Sequence, residues 1–185
     1  MTTTKDTDKI VEGFKSFVED YNKLIEQLND RINESATYKK YAPLTEEQRK
    51  SMSDREVELW EEKAKEGLLR NDSNISSLLS DMRTALYQSV DGAGLALYDM
   101  GIETSDSWRD NGKLILDESK LNAAISTNLD GVKKLMTDKE HGIGVLLDNA
   151  VKAAANVSTG SPGNLVSYAG TESSPHHGQQ PLSAA

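Results

Sequence analysis

The 185-residue sequence contains no cysteine, which excludes disulfide scaffolds, thiolate zinc sites, iron–sulfur clusters and cysteine nucleophiles. Apolar side chains are also scarce. They make up 36% of the chain, aromatic residues make up 5%, and there are two phenylalanines. The length corresponds to about one domain. A composition this lean is typical of long exposed helices, or of a chain whose core is completed by a partner.

Basic clusters and long apolar runs are missing as well. The 30 acidic residues outnumber the 21 basic ones, for a formal charge of −9, and no Lys/Arg-rich stretch compensates locally. We therefore expect no nucleic-acid partner and no membrane partner, because both are bound through clustered positive charge. The longest apolar runs, residues 94–97 and 142–147, are far shorter than the ~20 residues of a membrane span. Residues 1–8 are polar and acidic, so no cleavable signal peptide is expected.

The clearest periodicity that is present lies near the N-terminus. Its apolar residues alternate steps of four and three, as in a heptad seam: Ile10, Phe14, Phe17, Tyr21, Leu24 and Leu28. A second row repeats every seven residues beside that seam and widens the apolar stripe: Val11, Val18, Ile25 and Ile32. The pattern predicts a helix from about residues 6–8 to residue 33, packed in a bundle. The candidate bundle or self-association face consists of Phe14, Phe17, Tyr21, Leu24 and Leu28.

Capping signals predict the next helices. Residues 45–48 and 53–56 each form a capping box, and Gly67 is placed to end the second of these helices. Trp60 is predicted to anchor this helix to the core in a stripe with Val57 and Ala64. Leu68 and Leu69 are expected to pack back over its end. Asp72 or Ser73 then caps a third helix, whose apolar positions are Ile75, Leu78, Leu79, Met82 and Leu86.

Beyond Gly92 the pattern changes to short apolar runs. Residues 95–98 and 113–116 have the lengths of strands, and Asn111-Gly112 is a turn dipeptide before the second run. Helices are predicted from residues 117–119, behind Asp130, and over about residues 144–155. The fold class is therefore mainly α, a helical bundle with a small antiparallel β element.

The domain boundaries follow from these elements and from composition. We expect one helical domain over residues 9–170, with small strands near residues 94–116. Residues 1–8 are expected to precede it without order. Residues 171–185 are rich in Ser, Pro, Gln and His and are expected to be a disordered tail of separate origin.

No motif supports catalysis. The carboxylate pairs 46/47, 61/62 and 117/118 lie near predicted helix starts or on charged faces. His141 falls in a predicted turn, and His176 and His177 fall in the tail. No dinucleotide fingerprint, phosphate loop or nucleophile elbow occurs. We expect no enzyme activity and no catalytic, cofactor-binding or metal-binding residues. A carboxylate-dependent hydrolase is the alternative, and it would need a cleft with two carboxylates of opposed pKa shifts.

One loop residue is a candidate contact. Trp108, in Ser-Trp-Arg-Asp at residues 107–110, is expected to be exposed and available to a partner.

Several segments occur together in a specific order. Residues 17–22 read Phe-Val-Glu-Asp-Tyr-Asn and residues 41–45 read Tyr-Ala-Pro-Leu-Thr. Residues 59–72 read Leu-Trp-Glu-Glu-Lys-Ala-Lys-Glu-Gly-Leu-Leu-Arg-Asn-Asp, and residues 100–104 and 112–121 follow. Together they resemble the C-terminal part of the bacterial flagellar filament-cap family, also called hook-associated protein 2. The structural signature of this resemblance consists of Trp60, Glu61, Gly67, Leu68, Arg70 and Asp72.

The resemblance implies a non-enzymatic structural role. Family members form an oligomeric cap at the growing filament tip, outside the cell, where flagellin is folded and inserted. Their partners are other copies of the same protein, flagellin, other hook-associated proteins and an export chaperone. The family is exported unfolded, without a cleavable signal peptide. This chain would be a fragment of the helical leg-proximal domain, completed by a segment that precedes the head domains.

Departures from the family and an alternative function remain open. The head domains are absent, and residues 171–185 stand where the last family helix should be. The strand region and the Trp108 loop are candidate contacts with flagellin or with neighbouring subunits. On its own, the chain should expose an apolar patch on the long helix or bury it by self-association. The alternative is a generic helical interaction module, an adaptor or chaperone without a flagellar role.

Overall fold

The computed structural model describes residues 3–35, 37 and 40–155. The longest element is helix α1 (Thr3–Asn33), whose 31 residues extend over about 46 Å. It begins earlier than residues 6–8, where its start was predicted, and takes in residues 3–8, which we expected to precede the ordered domain. Residues 1–2 and 156–185, including the expected tail at 171–185, lie outside the described residues.

The core-facing row of α1 differs from the predicted seam. Phe14 and Tyr21 are buried as expected, whereas Phe17 is only half-buried. The row that was placed beside the seam supplies the remaining buried residues of the helix: Val11, Val18 and Ile25. Both rows fit a helical period equally well, so spacing alone does not decide which one faces the core. The elements packed against α1 decide which row is buried. Along one side of the helix lies a half-buried strip, which consists of Ile10, Phe17, Leu24 and Leu28.

Helices α2 (Glu46–Ser51) and α3 (Asp54–Lys65) start at the predicted capping boxes. The Thr45 hydroxyl accepts from the Gln48 N–H at 3.3 Å, and the Thr45 N–H donates to the Gln48 side chain at 3.0 Å. Gly67 follows α3 with φ +75°, a left-handed conformation that favours glycine. The expectation that the next two leucines cover the helix end was wrong. Leu68 and Leu69 project into solvent, because α3 itself buries no residue that could receive them.

Helix α4 (Ser73–Leu86) is capped by Asp72, the first of the two predicted residues. One carboxylate oxygen of Asp72 accepts from the N–H groups of Asn74 and Ile75, at 2.9 and 3.0 Å. The helix packs against α1 and the C-terminal helix. Its buried residues are Ile75, Leu78, Met82, Ala85 and Leu86, while Leu79 is half-buried.

The small sheet pairs strand β1 (Ile102–Thr104) with strand β2 (Leu114–Leu116). The strands are antiparallel, with Ile102 opposite Leu116 and Thr104 opposite Leu114. β2 confirms the strand predicted over residues 113–116 and the turn before it. The prediction of a strand over residues 95–98 was wrong. The Asp99 carboxylate accepts from the Ala96 N–H at 2.8 Å and closes a turn there, which buries Leu97. A short apolar run does not distinguish a buried turn from a strand.

Three further helices follow: α5 (Glu118–Thr127), α6 (Leu129–Thr137) and α7 (Ile143–Ala155). Asp117 caps α5 as predicted, and Asn128 caps α6 one residue before its first helical residue. Over the described ranges the chain thus forms seven α-helices and one two-stranded antiparallel sheet. The predicted fold class, mainly α with a small β element, is confirmed.

One hydrophobic core joins α1, α4 and the C-terminal half of the chain. Its most deeply buried side chains come from the segment after residue 98: Met100, Ile102, Leu121, Val132, Leu135 and Ile143. Two ion pairs tie α1 to this half, Lys15 with Glu118 at 3.0 Å and Lys113 with Glu26 at 3.3 Å. None of the helices in the described part of the chain combines the length and apolarity that a membrane crossing requires.

The surroundings of two helical glycines predict that substitution by alanine changes the free energy of unfolding in opposite directions. A Cβ at Gly131 would overlap the Ala93 carbonyl oxygen and the Asn128 amide, whereas a Cβ at Gly13 meets open space. Gly131→Ala should therefore lower the free energy of unfolding by about 1–3 kcal/mol. Gly13→Ala should raise it by about 0.5–1 kcal/mol through helix propensity. Urea unfolding of both variants tests this, and shifts in the same direction would contradict the packing of α6.

Candidate functional site

Large apolar side chains are exposed on and beside the β1–β2 hairpin. Tyr87 follows α4, Tyr98 begins the turn before β1, Trp108 lies in the hairpin loop and Ile115 lies in β2. Their exposed fractions are 67%, 64%, 82% and 54%. Single exposed apolar residues are ordinary, but Tyr87 and Tyr98 line the same groove, and shared exposure of this kind indicates an interaction site. We call these four residues the hairpin surface.

A groove of about 500 Å³ is lined by two residues of the hairpin surface, Tyr87 and Tyr98. Leu97, Ile102 and Leu114 line it from the core side, and Tyr87 and Tyr98 line it from the solvent side. The Tyr87 hydroxyl contacts the hydroxyl of Thr104, which places this ring over β1. The groove therefore has an apolar floor, aromatic walls and one wall formed by a strand.

The rim of the groove is acidic. Glu103 and Asp106 line it, and Asp99 lies in the turn that carries Tyr98. Lys120 pairs with Glu103 at 3.3 Å, and both side chains are exposed to solvent. An exposed pair of this kind contributes little to stability. The Lys120 ammonium offsets the charge of Glu103 at the rim.

Asn22 on α1 holds the other edge of the hairpin. Its amide nitrogen donates to the Leu114 carbonyl at 2.8 Å, and the Leu114 N–H donates to its amide oxygen at 2.6 Å. These backbone groups of Leu114 point away from β1, so the side chain of Asn22 takes the place of a neighbouring strand. No local pattern in the sequence marks Asn22, because its partner lies 92 residues further along the chain.

Trp108 lies in a short helical turn in the hairpin loop and is exposed, as expected from the sequence. The guanidinium carbon of Arg109 is 5.4 Å from the centre of the Trp108 ring, a cation–π arrangement. The loop is closed where Asn111 adopts the left-handed conformation with φ 52°. That Trp108 is a partner contact stays a prediction.

The predicted bundle face is divided by the structure. Phe14 and Tyr21 lie in the core of the single chain, where they are not available for self-association. Phe17, Leu24 and Leu28 belong to the half-buried strip on the side of α1. The Phe17 and Tyr21 rings lie 6.3 Å apart, which joins the strip to the core.

Trp60, the first signature residue, was predicted to be a core residue. In the structure it instead anchors the connection between α1 and α2. Its indole N–H donates to the Ala42 carbonyl at 2.8 Å, and its ring packs edge-on against Tyr41, with centroids 4.9 Å apart. The side chain is half-buried. Trp60 therefore fixes α3 to the segment between α1 and α2, because α3 has no deep core to enter.

The rest of the signature organises the chain at the C-terminal end of α1. Glu61 forms an ion pair with Arg49, and Asp72 caps α4. The Gly67 N–H donates to the Glu34 carboxylate at 3.0 Å, just beyond the end of α1. The side chains of Leu68 and Arg70 are exposed. Four of the six residues, Trp60, Glu61, Gly67 and Asp72, thus have a structural role in the fold.

Three carboxylates of the described residues have a shifted pKa, and in each the shift is downward. The Ser53 hydroxyl lowers the pKa of Glu56, and the Lys63 ammonium lowers the pKa of Glu66. The backbone N–H groups of His141 and Glu140 lower the pKa of Asp138. Over the same residues no group of three His, Cys, Asp or Glu side chains could hold a metal ion. The predicted tail histidines, His176 and His177, lie outside the described residues.

A family model described as the C-terminus of flagellar hook-associated protein 2 matches residues 1–172. The chain belongs to this family. The hook-associated protein 2 of Halalkalibacterium halodurans is 44% identical over 138 residues, which are 74% of this chain and 26% of that protein. The hook-associated protein 2 of Thermotoga maritima is 30% identical over 150 residues, 78% of this chain and 22% of that protein. The chain therefore spans about a quarter of the length of these hook-associated protein 2 relatives.

A solved structure supports the fold. The crystal structure of the D1-D2-D3 domains of the flagellar cap protein from Escherichia coli has a TM-score of 0.53 to this chain and 22% sequence identity. The match covers 82% of this chain and 33% of that one. The family model and the Halalkalibacterium halodurans relative confirm the resemblance to the hook-associated protein 2 family.

The burial of Tyr21 predicts the pH range in which its side chain loses its proton. Burial raises the pKa of Tyr21 from 10.0 to about 12, a rise that the Arg83 guanidinium partly opposes. Neutral Tyr21 therefore stabilises the fold below pH 10, and this contribution is lost as the pH rises towards 12. A tyrosinate absorbance titration of the folded protein should show one component near pH 12.

Two variants check the assignment of that component. Tyr21→Phe should remove it and should flatten the fall in stability above pH 10. Tyr98→Phe, at an exposed tyrosine that does not contribute to the shift of Tyr21, should leave it in place. A component that persists in Tyr21→Phe would contradict the burial of this side chain.

Proposed function

We propose that the chain is the helical leg-proximal domain of a flagellar filament cap, a non-enzymatic protein that promotes the insertion of flagellin at the filament tip. The observation that carries this proposal is the family match over residues 1–172, together with a fold shared with a flagellar cap protein. The exposed aromatic hairpin surface supports it, because a domain that works by contact needs an exposed recognition surface.

The proposal includes partners and location. In the cap the chain contacts other copies of the same protein, flagellin, other hook-associated proteins and, before export, a chaperone. It acts outside the cell at the tip of the flagellum and is exported without a cleavable signal peptide. No cofactor is needed, because the role is to hold and orient protein subunits.

In this proposal, flagellin and the rest of the cap contact two different surfaces of the chain. The hairpin surface, with Trp108 at its most exposed point, is directed at flagellin. The half-buried strip of α1 (Ile10, Phe17, Leu24 and Leu28) is covered by another part of the cap. A shallow depression lined by Leu24 and Leu28 beside this strip supports that assignment.

Filament assembly by cells that lack the gene for this protein tests the proposal. Such cells should release flagellin into the medium as monomer, and the intact wild-type protein should restore filaments. Trp108→Ala should reduce the restored filament mass several-fold. Leu59→Ala removes a side chain 49% exposed on α3, away from the hairpin, and is the matched control.

Two results would overturn the cap role. One is normal filament growth in cells without the gene. The other is that loss of the gene releases an unrelated protein while flagellin still assembles. Either result would favour a generic helical adaptor or chaperone.

A further inference from the structure

The loop of the hairpin leads into β2 through a tight turn centred on Asn111 and Gly112, the single Asn-Gly pair in the sequence. Both residues have left-handed backbone angles, with φ 52° at Asn111 and φ 89° at Gly112. Across them the Lys113 N–H donates to the Asp110 carbonyl at 3.0 Å. Positive φ at both central residues and this hydrogen bond define a type I′ turn, for which Asn-Gly is a preferred pair.

An Asn-Gly pair is also chemically reactive. The backbone nitrogen of the glycine can attack Cγ of the asparagine, because no side chain on the glycine hinders the approach. A new C–N bond then closes a five-membered succinimide ring, the Cγ–Nδ2 bond breaks, and ammonia leaves with the proton of the glycine N–H. Water opens the ring at one of its two carbonyls, which yields aspartate or isoaspartate. In isoaspartate the main chain passes through Cβ and is one methylene longer.

The structure leaves both reacting groups of this pair accessible. Asn111 is exposed, and its amide nitrogen makes a long hydrogen bond of 3.3 Å to the Arg109 carbonyl. The Gly112 N–H has no hydrogen-bond partner among the described residues. The N–H of Gly131, in the Asp-Gly pair of α6, is by contrast bonded to the Asn128 side chain at 3.0 Å. Neither burial nor hydrogen bonding therefore protects Asn111.

The backbone angle of the turn does protect it. Asn111 has ψ 30°. With tetrahedral geometry at Cα, this angle places the Gly112 nitrogen nearly opposite Cβ of Asn111, viewed along the Cα–C bond. Closure of the succinimide ring requires the nitrogen and Cβ on the same side of that bond. The turn must therefore open before the two groups can react.

We propose that Asn111 is a site of spontaneous deamidation that the closed turn restrains, so that the reaction proceeds from the open hairpin. The inference does not depend on the proposed function. An isoaspartate at this position lengthens the main chain between Asp110 and Lys113, so the hydrogen bond of the turn cannot re-form with the same geometry. Deamidation thus leaves a covalent record in the loop that carries Trp108.

Contacts with α1 determine how often the hairpin opens. Lys113, next to Gly112, pairs with Glu26 at 3.3 Å, and Leu114 exchanges two hydrogen bonds with Asn22. A two-stranded element opens locally at a lower free energy than the whole fold, unless such contacts hold it. Loss of the Asn22 amide should therefore let Asn111 reach the reactive geometry more often.

Peptide mapping by mass spectrometry measures the reaction at Asn111 in the full chain, incubated in mildly alkaline buffer with and without urea. Folded wild type should deamidate about tenfold or more slowly than the chain in urea. Asn22→Ala should react several-fold faster than wild type when folded, and at the same rate in urea. Asn33→Ala, at an exposed position of α1, is the matched control and should match wild type in both solutions. Asn111→Gln should lose the modified peptide, because its longer side chain cannot close the five-membered ring.

Three outcomes would overturn the inference, and none of them bears on the proposed function. Equal rates for wild type with and without urea would show that the turn gives no protection. Absence of product at Asn111 in urea would remove the site. Equal rates for folded wild type and folded Asn22→Ala would show that the reaction does not pass through an open hairpin. Circular dichroism establishes that Asn22→Ala is folded, and if it is not, the two wild-type rates decide alone.

Discussion

The side chain of Asn22 is the contact on which the arrangement of this chain depends. It exchanges two hydrogen bonds, of 2.8 and 2.6 Å, with the backbone of Leu114 and so connects the long helix to a hairpin far along the chain. A two-stranded sheet is marginally stable alone in water. With the amide of Asn22 as a substitute third strand, and α1 packed along its side, this hairpin has a defined place in the fold.

This arrangement gives the two edges of the hairpin different neighbours. The β2 edge is bonded to Asn22 of α1, and β1 lines the groove together with Tyr87 and Tyr98. The same helix presents a half-buried strip on its other side. The chain thus combines a core of its own with two apolar surfaces that its described residues cover only in part.

Local signals predicted most of the helices, because caps depend on neighbouring residues. Thr45, Ser53, Asp72 and Asp117 each cap the helix that the sequence assigned to them. The errors arose where distant contacts decide the outcome. Packing across the fold decides which row of α1 is buried and which residue Asn22 contacts. The groove is lined by four separate stretches of the chain, so no sequence pattern could show it, although the exposure of Trp108 could be predicted from its loop.

Amide hydrogen exchange at Leu114 tests the central contact most directly, because the N–H of Leu114 donates to Asn22. Asn33→Ala is the matched control, since the exposed side chain of Asn33 donates within its own helix, to the Asn29 carbonyl at 2.9 Å. We predict that Asn22→Ala speeds exchange at Leu114 by about tenfold or more and lowers the free energy of unfolding by about 1–3 kcal/mol. Asn33→Ala should do neither. Equal exchange at Leu114 in the two variants would contradict the account.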